Sequence, residues 1–151
     1  MALIGVAGAV SEIQATLVAN ISELSTERCV HADLDKLMAS VEANVGDSEA
    51  RYACLYQFLE ATHRPMEPFS NEIWAYTFSG ILMIRLNDLT NIETEMVSII
   101  DKVRSTGGNF PRGVNQTAAL FRIYNIQKPI PTTIADTPYY FLPFMIRIFD
   151  K

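Results

Sequence analysis

The sequence predicts an α+β fold: an antiparallel or mixed sheet of about four to five strands with helices packed on one face. Three observations lead to this expectation. Apolar residues recur at helical spacing near the N-terminus and again after residue 90. Other segments alternate between apolar and smaller or polar residues, as strands do. These strands come in neighbouring pairs whose connections are too short for parallel crossovers.

Three helices are predicted from apolar stripes whose members lie three or four residues apart. The second is short and spans about residues 33–45, and the third spans 92–104. Thr90 and Glu93 have the spacing of a capping box at the start of the third helix. We expect Gly107-Gly108 to end it, because glycine adopts the left-handed conformation without a Cβ clash. The stripe of the first helix comprises Val6, Val10, Ile13, Leu17, Ile21 and Leu24.

The strands contain two residues that interrupt their pattern. Gly80 lies at the centre of the longest strand and predicts a bulge or a close backbone approach. Pro143 has no N–H to donate, so it predicts an edge position or a bulge for the last strand. Long loops are expected at residues 60–72 and 127–138. The predicted strands span residues 51–59, 73–86, 117–126 and 139–149.

The two longest strands each present one apolar face, and these faces should pack against the helical stripes to form the core. The expected core comprises Trp74, Tyr76, Phe78, Leu82, Ile84, Phe144, Ile146 and Ile148 from the strands, with Val10, Ile13, Leu17, Ile99 and Val103 from the helices.

Composition favours one domain, residues 1–151, and excludes several classes of protein. The hydrophobic fraction of 49% is too high for a disordered chain. The charged fraction of 19% is below the roughly 25% usual for soluble domains, which suggests surface hidden against other subunits. A net charge of −5 argues against a protein whose main task is to grip nucleic acid.

The ends and cysteines indicate a cytoplasmic protein with reduced thiols. The apolar N-terminal run precedes the first basic residue, Arg28, so it lacks the positive region of a secretory signal. No run approaches the roughly 20 apolar residues of a membrane-spanning helix. Cys29 and Cys54 are too few for a disulfide framework.

One group of residues has the elements of a metal site. Cys29 and His31 are followed by Asp33 and Asp35, but no second Cys/His pair completes the four ligands that zinc requires. We interpret this segment as a solvated connection in which Asp33 or Asp35 caps the following helix. No metal ligand is therefore assigned.

No catalytic or cofactor-binding residue is assigned either. A cysteine nucleophile would need Cys54 beside His31 or His63, whereas Cys54 lies among apolar residues of a predicted strand. The glycine-rich segment 107–113 follows a helix instead of opening one, so it is a helix end and not a phosphate loop. The acidic residues Asp88, Glu93, Glu95 and Asp101 are expected on the solvated face and first turn of the third helix.

Both predicted long loops carry bulky apolar residues, although loops usually face water. Met66 and Phe69 lie in the first loop, and Ile130 and Ile134 lie in the second. One interpretation is that these side chains fold back as lids over the ends of the sheet. The other is that they contact neighbouring subunits, and we take these four residues as candidate interface residues.

The order of elements resembles the tail terminator proteins of long-tailed bacteriophages, from the N-terminal helix to the apolar closing strand at Tyr139-Tyr140-Phe141-Leu142-Pro143. The resemblance is one of pattern and length over most of the chain. The helical segment at 29–44 departs from it. The matching segments are 6–24, 52–59, 73–86, 92–104 and 139–149.

The resemblance implies a structural virion protein and no enzyme. Such subunits would form a ring, with six copies to match tube symmetry, that caps the head-proximal end of the tail tube. The implied partners are the chain itself, the tail tube protein, a neck or head-completion protein and, in a contractile tail, the sheath protein. Genomic DNA would pass through the ring without specific binding. The implied location is the tail or neck of the virion, after assembly in the host cytoplasm.

Two alternatives remain open at this point. The chain could be another neck protein or a tail tube protein of the same particle. It could instead be a small cytoplasmic enzyme or ligand-binding domain, which would need a pocket with convergent polar groups.

Overall fold

The computed structural model describes residues 4–43, 51–66, 71–85, 92–134 and 136–150. These residues form an α+β fold, as predicted, with three α-helices around a six-stranded sheet. The helices are α1 (Gly5–Asn20), α2 (Leu34–Ala43) and α3 (Ile92–Asn109), with a 3-10 turn at Thr26–Arg28. The strands are β1 (Cys29–His31), β2 (Tyr52–Met66), β3 (Asn71–Arg85), β4 (Leu120–Tyr124), β5 (Ile130–Ile134) and β6 (Thr137–Asp150).

The sheet is mixed. Its strand order is β1-β2-β3-β6-β4, and β5 pairs with β6 beside β4. β1 and β2 are parallel, whereas the other pairs are antiparallel. β6 therefore has β3 along one side and shares its other side between β4 and β5.

One face of the sheet, called the inner face here, packs against α1 and α3. Alternate residues of β3 and β6 point to this face, where they meet the helical stripes. The expected core is confirmed: its thirteen predicted members all lie in this cluster, with Trp74 and Val10 at its partly exposed margin. Further buried members are Ala9, Ile21, Leu24, Cys29, Tyr52, Cys54, Tyr56, Ala118, Phe121 and Leu142.

The opposite face, called the outer face here, carries a smaller buried cluster. Leu37 of α2 packs there with Val30 and Ala53, which alternate along their strands with inner-face residues. Helices therefore cover both faces of the sheet, a detail that differs from the expected one-sided arrangement. Met83 and Tyr139 complete this cluster.

Both predicted long loops are shorter than expected because strands extend into them. β2 continues to Met66 and pairs with β3 from Asn71, and the segment 127–138 contains β5. Pro65 and Pro131 lie in edge strands, which tolerate a missing N–H.

Gly80 and Pro143 have different roles in the sheet. A Cβ on Gly80 would lie 2.6 Å from the Phe144 ring, so the glycine makes room for a side chain of the neighbouring strand and marks no bulge. Pro143 is central instead of marginal. Its carbonyl accepts from Gln127 N at 2.9 Å on the side between β4 and β5. The N–H and C=O of one strand residue point to the same side, so the missing N–H of Pro143 also faces this gap, where no strand is paired with it.

The predicted end of α3, at residue 104 before Gly107-Gly108, is too early by five residues. Gly107 and Gly108 continue the helix, which ends at Asn109. Gly107 serves packing, since a Cβ there would lie 3.2 Å from Phe121 O of β4. Of the positions invoked for this helix, Thr90 lies outside the described residues.

The two ends of the described chain are joined through Asp150. Its buried carboxylate accepts from Ile4 N and Gly5 N at 3.0 Å each, so it caps α1 from the last strand. Tyr76 Oη donates to the same carboxylate at 2.9 Å. Burial, the hydrogen bond to Asp150 and its negative charge together raise the pKa of Tyr76 to about 12.

This tyrosine should make folding sensitive to alkaline pH. In the unfolded chain the tyrosine phenol has a pKa of about 10. Because the folded pKa is higher, the stabilising contribution is complete below pH 10 and is lost between pH 10 and about 12. We expect Tyr76→Phe to be less stable than the wild type at pH 7, and the difference in unfolding free energy to decrease between pH 10 and about 12. Urea unfolding of both proteins at several pH values measures this difference. A difference that stays constant with pH would contradict the prediction.

Candidate subunit interface

The outer face becomes more open towards β4 and β6. In the described part of the chain, Leu37 is the sole helical residue in the buried cluster of this face. Ile81 and Phe141 pack at the margin of that cluster and are only partly buried. Beyond it, Pro143, Met145 and Phe149 are also only partly buried. An apolar sheet face of this kind is characteristic of a surface that contacts another protein.

The candidate interface residues fall at different places. Ile130 pairs with Phe141 on the outer face and remains 49% exposed. Ile134 is partly buried and packs against the outer-face cluster, which matches the lid interpretation for that residue. Met66 ends β2 opposite Asn71, but its side chain lies outside the described residues, as does the whole of Phe69.

A second candidate surface is the outer edge of β2. β1 pairs with residues 54–56, and within the described chain no strand pairs with this edge over residues 57–66. A bulge interrupts the register between Phe58 and Glu60, which leaves Leu59 52% exposed. Open edges with apolar residues are sites where another strand can add, and bulges limit such pairing.

A glycine loop after α3 is fixed by a buried acid. Glu12 of α1 is 2% exposed, and its carboxylate accepts from Asn115 N and Thr117 Oγ1 at 2.8 Å each. Thr16 accepts from Val114 N at 3.0 Å. Gly113 has a positive φ of 82° and lies against the Glu12 carboxylate. The segment therefore contains a buried anchor, which the predicted helix end at 107–113 did not anticipate.

Glu95 was predicted to lie on a solvated face, and this prediction is wrong because its side chain is 9% exposed. Its carboxylate forms an ion pair with Arg51 at 2.9 Å and accepts from Tyr52 Oη. Burial, followed by the hydrogen bond to Glu95, raises the pKa of Tyr52. This network connects β2 to α3. Asp88 lies outside the described residues.

Cys29 and Cys54 form a small buried cluster at the edge of the sheet, and His31, the last residue of β1, is partly buried. Cys29 and Cys54 are directly opposite each other on β1 and β2, and both are buried. The contact with Cys29 and burial raise the pKa of the Cys54 thiol, which weakens it as a nucleophile. Asp33 Oδ1 accepts from Lys36 N at 3.0 Å, so Asp33 is the residue that caps α2. Within the described ranges of the chain, no group of three acidic, histidine or cysteine side chains could hold a metal ion.

A small cavity lies beside this cluster. Its volume is about 270 Å³, and it is lined by residues from α1, β1 and β2 that include Gln14, His31 and Tyr56. Pockets for small-molecule ligands usually measure about 300–1,000 Å³. Gln14 already donates to the carbonyls of Thr26 and Cys29. The cavity is therefore small, and one of its polar groups is already used by the fold.

Comparison with known proteins leaves the family unassigned. No protein-family model and no curated protein matches the sequence. Among solved structures, one chain without a functional description is 12% identical, with a TM-score of 0.42, and the match covers 91% of this chain and 94% of that chain. A likeness at this level supports neither a shared fold nor a shared function. None of the described helices has the length and apolar character to cross a membrane.

Proposed function

We propose that this chain is a tail terminator subunit that assembles into a ring, with six copies, at the head-proximal end of a bacteriophage tail tube. In this proposal the protein is a structural part of the tail or neck and has no enzymatic activity or cofactor. It stops tube elongation and joins the tail to a neck or head-completion protein. In a contractile tail it also contacts the sheath. DNA passes through the ring without specific binding.

The open apolar part of the outer face is the observation that carries this proposal. A lone monomer would leave Met145 and Phe149 partly in contact with water, whereas a ring subunit can bury them against its neighbour. Ile130 extends the same surface and is 49% exposed. The free edge of β2 lies at the other end of the sheet, so each subunit offers two different surfaces. Two different surfaces suit the head-to-tail contacts of a ring.

The alternatives differ in how they assemble. A tail tube protein would polymerise into long tubes, and a neck protein would form a ring that does not stop tube growth. A ligand-binding domain would depend on the cavity beside His31, whose volume of about 270 Å³ is below the range usual for small-molecule pockets. We therefore favour the terminator.

Tube elongation tests the proposal directly. Tail tube protein polymerising in vitro should stop growing when this protein is added, at about one ring per tube, and negative-stain images should show one capped end. Ile130→Ala should weaken both ring formation and capping because it removes apolar contact area from the proposed interface. The fold should be retained, since Ile130 contributes little to the core.

Val97→Ala is a matched control, because Val97 is 58% exposed on α3, which packs on the inner face. It should form rings and cap tubes like the wild type, as shown by sedimentation velocity and length distributions. Tubes that lengthen equally with and without the protein would rule out a terminator. Incorporation along the whole tube would favour the tube-protein alternative.

A further inference from the structure

Four polar side chains form a row across the outer face. Residues that are opposite each other in adjacent strands share one face of a sheet. Glu60 of β2 is opposite Thr77 of β3, Thr77 is opposite Arg147 of β6, and Arg147 is opposite Arg122 of β4. The row therefore places one acid at the β2 end and two arginines at the β4 end, among partly buried apolar residues.

The centre of this row contains two unsatisfied polar groups. Thr77 is 4% exposed, and its Oγ1 makes no hydrogen bond within the described structure. Arg147 Nε is buried and likewise lacks a partner among the described residues. Buried polar atoms without hydrogen bonds destabilise a fold, and each calls for an explanation. Both atoms are enclosed by the subunit itself, so a group from another chain can contact only the terminal amino groups of Arg147 and the exposed Arg122. These groups donate hydrogen bonds, so the partner they fit is an acceptor.

The arginines point to an acceptor with negative charge. Arg122 and Arg147 are directly opposite, an arrangement that is unfavourable for like charges. Neither forms an ion pair within the described chain. Arg147 Cζ lies 5.4 Å from the centroid of the Tyr124 ring, a cation–π contact that leaves its terminal amino groups without a hydrogen-bond partner among the described residues. Glu60 is two strands from Arg147, about 10 Å across the sheet, and makes no described ion pair.

We propose that Arg147 and Arg122, beside the buried Thr77, form a binding site for an aspartate or glutamate carboxylate from a second copy of this chain. This inference rests on the ring assembly proposed above and identifies the polar contact of its interface. Charge complementarity argues for this occupant, since the chain has a net charge of −5 and exposes acids such as Glu27 and Glu93. Nucleic acid is less suited, because two arginines in an apolar surface are fewer cations than a phosphate backbone requires.

Ring dissociation measured by sedimentation velocity tests the contact. Arg147→Met keeps the packing over Tyr124 but removes the donors and the charge, so it should raise the dissociation concentration of the ring about tenfold or more. The wild-type ring should also weaken with added NaCl, and the variant should be less sensitive. Arg104→Met is the control, because it removes the same charge from an exposed site on α3, and its rings should match the wild type.

A cross-linking experiment identifies the partner group. In Arg147→Lys, a carbodiimide should couple the new amine to the carboxylate that binds it. Mixed rings of ¹⁵N-labelled and unlabelled subunits then distinguish cross-links between copies from those within one chain. Cross-links between copies from position 147 to an acidic residue would support the inference. Cross-links only within a chain, such as to Glu60, would overturn it.

The outcomes separate this inference from the proposed function. A wild-type protein that stays monomeric at all concentrations would overturn both. A wild type that forms rings, together with an Arg147→Met variant that forms them equally well, would overturn the carboxylate site alone. Fluorescence anisotropy with a duplex DNA oligonucleotide tests whether the same site binds phosphate. DNA binding that Arg147→Met abolishes, with unchanged ring formation, would assign the site to phosphate and overturn the carboxylate.

Discussion

Ile84→Ala should lower the free energy of unfolding by about 2–5 kcal/mol, the usual cost of truncating a fully buried aliphatic side chain. Ile84 is 0% exposed and lies in β3 between Tyr52 of β2 and Tyr140 of β6. Because neighbouring strands hold it on both sides, the backbone cannot collapse freely into the space that the substitution leaves. Both the lost burial and the residual cavity therefore contribute.

Denaturant unfolding measures this effect, at a protein concentration low enough that ring dissociation does not contribute. Val97→Ala is again the control, because Val97 is 58% exposed and its truncation should change stability by no more than about 0.5 kcal/mol. An Ile84→Ala midpoint that coincides with the wild type would mean that the inner-face packing is wrongly assigned.

Gly113→Ala should be nearly as destabilising, at about 2–4 kcal/mol. Its φ of 82° is unfavourable for a residue with a Cβ by about 1–2 kcal/mol. The added Cβ would also overlap the Glu12 carboxylate, which is buried and fixed by hydrogen bonds to Asn115 and Thr117. Moving that carboxylate would break these bonds, so the overlap cannot be relieved at little cost.

Gly108→Ala, five residues earlier in the chain, should have the opposite effect on stability. Gly108 is helical, and a Cβ there would contact nothing within 4 Å. Alanine should therefore stabilise α3 by about 0.5–1 kcal/mol. Thermal unfolding of the two variants side by side tests whether the left-handed position is 113 and the helical one is 108. Similar effects of both substitutions would contradict this assignment.

The stability and assembly experiments probe different faces of the same sheet. Ile84→Ala tests the inner face, and Gly113→Ala tests the loop anchored to α1. A single subunit needs both regions in order to fold. Ile130 and Arg147 concern the outer face, where removing a side chain should affect contacts between subunits more than the fold. A protein that loses rings but keeps its unfolding midpoint would place the interface on that outer face.

The helices and long strands could be predicted because local pattern determines them. The apolar stripe of α1 and the alternation in β3 each require one buried face, and the structure places both in the same core. Cys54 could also be predicted as buried, since it lies within an apolar strand. In these places the local pattern and the tertiary packing favour the same conformation.

The sequence by itself determined the α+β class, the main helices and strands and most of the core. The reason is that the spacing of apolar residues within one segment shows which of its faces is buried. Only the tertiary structure decided which distant residues meet. Asp150 caps α1 across 145 residues, and Glu12 holds the loop at Asn115. Arg147 comes to lie opposite Thr77 and Arg122 only through strand register. Register and long-range hydrogen bonds depend on how whole elements pack, and no local pattern contains that information.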